Sequence, residues 1–155
     1  MSSIYDIFRE MGRSGAQTLR REAAGLTGTQ IIDRAHAVPA FDPAKDYSGW
    51  PAGAPVQDEG QIWLLLQPHN AAHYPGLRPS TNRACWGIAH TVVPERARPW
   101  VDPLGTSGVY MAGECYRAKD GTVKRALRDY LVHDAEAYPE GWETVLQAAQ
   151  EKEEA

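Results

Sequence analysis

A chain of 155 residues that is 43% hydrophobic and 23% charged has the composition of ordinary folded protein, enough for one standard core or two very small ones. Its formal charge of −4 leaves no basic stripe to neutralise phosphates, so nucleic acid is not an expected partner. No apolar run reaches membrane-spanning length and the opening MSSIYDIFREMGR carries charge inside any would-be signal segment, so synthesis in a cytoplasm, without a signal peptide or a membrane partner, is expected.

Residues 1–38 read as a helical attachment or oligomerisation segment. Ile4, Ile7, Phe8 and Met11 recur at three- and four-residue spacing, Gly12 and Gly15 interrupt, and Thr18 to Ala24 resumes with good helix formers. Thr27 with Gln30 three places on reads as a capping box that opens one more short helix before Pro39. From residue 39 the texture changes: Pro, Gly and aromatics become frequent and apolar runs shrink to strand length. After Trp142, ETVLQAAQEKEEA returns to helix formers and predicts a short helix ahead of an acidic tail, 147–155.

Within the β-textured part a unit is used twice. WPAGAPVQDEGQIWLLL at 50–66 and YMAGECYRAKDGTVKRAL at 110–127 share an aromatic, two residues, Gly, two residues, Val or Tyr, a polar turn and a run closing on Leu. Upstream stand Phe41 and Trp100, and downstream a Pro-containing loop and a Trp, Trp86 in the first copy and Trp142 in the second. Two copies do not make a solenoid, so each must be a mini-domain. A module so small has too little aliphatic interior, and large aromatics, each burying roughly 150–250 Å², are one remedy. The same rings could instead stack on the flat face of a sugar.

These residues carry a resemblance. The aromatic, the Y/W-x-x-G-x-x-V/Y stretch, the Gly turn and the terminal loop-plus-Trp resemble the chitin-binding-type module of carbohydrate-binding family 5/12, a three-stranded antiparallel mini-sheet. A helical N-terminal segment followed by two such units, the second opening PWVDPLGTSGVY and closing AYPEGW, is similar to tailed-phage proteins with tandem modules of this type. The resemblance implies an α+β chain with an N-terminal helical segment and two small antiparallel β mini-domains, 39–90 and 97–146. It also implies a virion location, host surface polysaccharide and other virion proteins as partners, and Trp50, Trp63, Trp86, Trp100, Tyr110 and Trp142 as ligand-binding rings. Where such modules usually place Asp after the first-strand Gly this chain has Ala54 and Glu114, and where an aromatic commonly follows the Gly turn it has Trp63 and then Lys124. The first copy is therefore the expected better binder.

In QIWLLLQ, Ile62, Leu64 and Leu66 take one face and Trp63 and Leu65 the other, so both faces are apolar and the second must pack against the helices, the other copy or another subunit. In TVKRALR, Val123, Arg125 and Leu127 share one face, and the other, Lys124, Ala126 and Arg128, reads as solvated. Together with the amphipathic start, this apolar surface predicts a homo-oligomer or a stable complex. His69 and His73 have helical metal-pair spacing, but Pro68 and Pro75 flank them and no general-base Glu accompanies them, so no metal or other cofactor is expected. Cys85 and Cys115 read as buried free thiols. No phosphate loop or nucleophile elbow is present and Cys85 with His90 lacks an orienting group, so the chain reads as non-enzymatic. The expected function is adhesion to host cell-wall glycans; the alternative is a structural or adaptor component of the virion that binds no sugar.

Overall fold

Thr27 opens a helix by the reciprocal bonding its sequence predicts. Its Oγ1 accepts from the Gln30 backbone N–H at 3.1 Å while Gln30 Oε1 accepts from the Thr27 N–H at 2.9 Å, and α2, Gly28–Asp33, follows. The computed structural model describes residues 15–148; Ile4, Ile7, Phe8 and Met11, and the end of the acidic tail, lie outside that range. Residues 15–22 are helical, α1, and run into a 3₁₀ turn, Ala23–Gly25. The chain is α+β: after these short helical elements come a three-stranded sheet, β1 Pro55–Asp58, β2 Gln61–Leu65 and β3 Trp86–Ile88, and a four-stranded sheet, β4 Arg98–Pro99, β5 Cys115–Arg117, β6 Val123–Ala126 and β7 Trp142–Leu146. Two units divide between Ala89 and His90, so the helical segment belongs to the first.

The helices cover the face of β2 that carries Ile62 and Leu64. Leu19, Ala23, Ile31, Ile32 and Val38 form a core with Ile62 and Ala89, and Leu64 packs at its edge. Trp63, on the other face, is also buried, at 1% exposure. The doubly apolar strand is thus satisfied inside its own unit, which removes one of the two motives for expecting an oligomer.

The two units repeat one hydrogen-bond pattern. In the first, Gly53 N–H donates to Leu65 O at 2.7 Å, Leu65 N–H to Ala54 O at 2.9 Å and Leu66 N–H to Cys85 O at 2.7 Å. In the second, Gly113 N–H donates to Ala126 O at 2.9 Å, Ala126 N–H to Glu114 O at 2.8 Å and Leu127 N–H to Gly141 O at 2.8 Å. Gly53 and Gly113 adopt φ of 94° and 92°, a region open to glycine and costly for other residues. Each unit also lays an extended segment parallel to its first hairpin strand, through an Ala40–Gln57 bridge in one and the β4–β5 pair in the other.

That segment delivers the first ring of a three-ring core. Phe41 stacks on Tyr47 at 5.9 Å and meets Trp86 edge-on at 5.8 Å, with Tyr47 edge-on to Trp86 at 5.3 Å. Trp100 stacks on Tyr110 at 4.9 Å and meets Trp142 edge-on at 6.0 Å, with Tyr110 against Trp142 at 5.4 Å. Tyr47, not Trp50, is therefore the counterpart of Tyr110. Ser48, Gly49 and Trp50 are an insertion before the shared Gly, and pairing by aromatic type in the sequence aligns the wrong ring.

Two local expectations fail for tertiary reasons. Helix formers after Trp142 are drawn into β7, which pairs antiparallel with β6 from Ala126↔Trp142 to Val123↔Leu146; cross-strand pairing overrides helix propensity there. The second face of β6 is not solvated as a whole either: Ala126 is 2% exposed under Tyr110, Tyr116 and Trp142, and the strand's alternation is broken by a register shift between Val123 and Lys124.

A Cβ at Gly53 would lie 3.0 Å from Ala24 Cα, whereas one at Gly60, also at positive φ, would meet nothing within 4 Å. Gly53→Ala should lower the stability of the first unit by about 2–4 kcal/mol, combining backbone strain with overpacking against the 3₁₀ turn, and Gly60→Ala by only about 1 kcal/mol. Urea unfolding of the two variants checks the difference.

Candidate ligand cleft in the second unit

Of the six rings expected to contact ligand, four are core residues. Trp86 is 0% exposed, Trp63 and Tyr110 1% and Trp142 6%. Trp63 donates its Nε1–H to Asp58 O at 3.1 Å and has the Arg83 guanidinium over its ring at 5.5 Å; Trp142 donates to His133 O at 2.9 Å. Tyr110 is stacked by His90 at 3.7 Å as well as by Trp100. These rings offer no face to a sugar because they are what the small units use as interior. Trp50 is half-buried, but Arg20 from α1 lies 4.0 Å from its ring centroid and Lys45 5.5 Å, a cation–π arrangement that occupies the ring. Trp100, also half-buried, is the expected site ring that borders open space.

That space is a cleft of about 590 Å³ in the second unit, the size of a small-ligand site. Three segments build it. The parallel pairing of Arg98 with Tyr116 and Pro99 with Arg117 sets Trp100 beside Tyr116, whose ring it meets at 5.0 Å and 69°. The β5–β6 hairpin contributes Tyr116, Arg117, Ala118, Lys119, Asp120 and, directly across from Tyr116, Lys124. The loop carrying Asp134, Ala135 and Glu136 closes the third side, tied down where Ala135 N–H donates to the Tyr116 hydroxyl at 2.8 Å.

The polar groups are held in defined positions. Trp100 Nε1–H donates to Asp102 Oδ1 at 2.6 Å, and Lys124 Nζ to Thr144 Oγ1 at 2.7 Å. Asp120 Oδ1 accepts from the Thr122 hydroxyl at 2.6 Å and its backbone N–H at 2.9 Å, bonds that hold its carboxyl below the usual range. Burial pushes the Tyr116 hydroxyl upward, so it stays protonated and, while accepting from Ala135, keeps its own hydrogen for a further acceptor. An apolar floor with donors and acceptors of both signs is suited to holding a polyhydroxylated ligand.

The cross-strand pair explains why the cleft is here. Val56 opposes Trp63 in the first unit and Tyr116 opposes Lys124 in the second. At Trp63 the large ring fills the space beside the hairpin; at Lys124 a slender side chain leaves it open. The sequence makes the first copy the expected better binder, whereas the cleft lies in the second. Tyr116, Arg117, Lys119 and the 134–136 loop escaped the sequence reading; the one local signal was Tyr116 standing where the first copy has Val56.

His69 is 8% exposed, donates through Nδ1–H to Gln67 O at 2.8 Å and packs on Tyr47, Tyr74 and Trp86. His73 sits in a 3₁₀ turn capped by Asn70, and no group of three or more potential metal ligands occurs among the described residues. Cys85 and Cys115 are buried free thiols, and burial lifts Cys115 to about 11. No helix among the described residues is long and apolar enough to cross a membrane. No protein-family model matches the chain, and no curated protein matches it in sequence.

Glu114 stands where the resembling modules carry Asp. Its Oε1 accepts from Met111 N–H at 2.7 Å, but burial, reinforced by Asp129, raises its carboxyl above the ordinary value. Such a group holds its proton longer in the folded than in the unfolded chain, so it costs stability as pH rises from the unfolded toward the folded pKa, and above. Glu114→Gln, which keeps the acceptor, should match the parent in strong acid and become the more stable protein as pH rises to neutrality. Unfolding at a series of pH values measures that difference.

Proposed function

We propose that this chain is a non-enzymatic glycan-binding protein of a tailed-phage virion, built on two units of the carbohydrate-binding family 5/12 type, with the second unit carrying the binding site. The observation that supports it most is the cleft bordered by Trp100, Tyr116 and Lys124, which pairs aromatic surface with fixed hydrogen-bonding groups. Stacking a sugar on such a surface contributes about 1–3 kcal/mol, so with a few hydrogen bonds besides a single cleft holds its ligand at roughly high micromolar to millimolar affinity. Several copies on one particle would convert that into firm adhesion to host surface polysaccharide. In this reading the first unit, closed by Trp63 and covered by α1 and α2, serves as the mount toward other virion proteins or further copies of the chain.

A second reading has one observation in its favour. The burial of Trp63, Trp86, Tyr110 and Trp142 is what two purely structural modules would need, and a virion adaptor binding no sugar would keep it.

The Lys124→Trp variant separates the two. It places in the second unit the ring that closes the first, and should reduce retention on host wall polysaccharide at least tenfold while leaving thermal unfolding in place. Lys124→Ala, which keeps the cleft open, should stay within about threefold of the parent, the loss of one exposed hydrogen bond. Equal retention by Lys124→Trp and parent, or none by the parent, favours the structural reading.

A further inference from the structure

The charged groups around the cleft are unevenly divided between elements. The β5–β6 hairpin supplies Arg117, Lys119 and Lys124 beside one carboxylate, Asp120, whose Oδ1 is taken up by Thr122, whereas the 134–136 loop supplies Asp134 and Glu136. Among the described residues no ion pair joins Arg117, Lys119 or Lys124 to Asp134 or Glu136. Asp134 and Lys124 each spend one bond internally, on Ala137 N–H and Thr144 Oγ1, and retain further lone pairs or hydrogens. The cleft thus presents two opposite charge sets that do not neutralise each other.

Such a lining discriminates among sugars by charge. A purely anionic polymer gains from the hairpin but meets Asp134 and Glu136, a purely cationic one meets the reverse, and like-charge juxtaposition is a strong means of exclusion. A neutral glycan leaves both sets to water. A ligand carrying one amino and one acidic group across adjoining sugars meets both sets with opposite charge. We propose that the ligand of this cleft is a zwitterionic glycan, an inference that rests on the glycan-binding reading above.

The test is a matched set of four tetrasaccharides on one β-1,4-glucosamine backbone: fully N-acetylated, free amine, N-acetylated with O-carboxymethyl groups, and free amine with O-carboxymethyl groups. Each is titrated calorimetrically into the full chain at low and at physiological salt. The zwitterionic member should bind about tenfold tighter than the neutral one, as two exposed ion pairs of about threefold each would give, with the advantage shrinking as salt rises. Glu136→Gln should erase the gain from the amine, and Arg117→Gln with Lys119→Gln the gain from the carboxymethyl group. If the neutral sugar binds as tightly as the zwitterionic one and Lys124→Trp abolishes both, the cleft is a glycan site and the zwitterion proposal is wrong. A zwitterion advantage that survives both sets of variants overturns the proposal by placing the charge recognition elsewhere. Binding of none of the four overturns it together with the glycan reading.

Discussion

Everything in this protein hangs on a three-ring contact made twice. In each unit an extended segment, a tyrosine and the closing tryptophan meet through their rings, Phe41 with Tyr47 and Trp86, Trp100 with Tyr110 and Trp142. Each such pair contributes about 0.5–1.5 kcal/mol beyond the area it buries, and units this small have little else to draw on. The contact also fixes topology, since the ring before the sheet, the ring before the hairpin and the ring opening the last strand can meet only if the hairpin lies between them.

On that shared frame the units diverge in how they cover their sheets. The first lays α1 and α2 over Ile62, while in the second the corresponding Val123 is covered by Ala97, Cys115, Val145 and Leu146, so β7 itself does the work of the helices. The cross-strand exchange of Val56 and Trp63 for Tyr116 and Lys124 moves bulk from one strand to its partner and opens a cleft where the other unit is filled. One unit is closed and helix-backed, and the other is open and lined with charge. Such a division suits the proposed roles of the first unit as mount and the second as glycan-binding unit.

The parts legible in the sequence were those decided locally. The Thr27–Gln30 capping box, the glycine turns and the strands of both hairpins follow from neighbours within a few residues. The parts that were not legible depend on distant partners. Tyr47 rather than Trp50 enters the core because of a three-residue insertion whose effect appears only once Trp86 is in place, and residues 142–146 become a strand because β6 offers an edge. The cleft needs both: Tyr116 and Lys124 sit eight residues apart within one hairpin, yet the loop that completes it is fastened by one bond from Ala135 to the Tyr116 hydroxyl. A stacking role assigned by residue type alone therefore falls, in four cases of six, on rings that the core claims.

The most direct measurement uses the indole N–H signals of the five tryptophans, followed by NMR while host wall polysaccharide fragments are added. Trp100, at the cleft and bonded to Asp102, is the one whose signal should move, with Trp63, Trp86 and Trp142 unchanged. Movement of Trp50 alone, or of no indole signal at saturating fragment, would contradict a glycan site in the second unit.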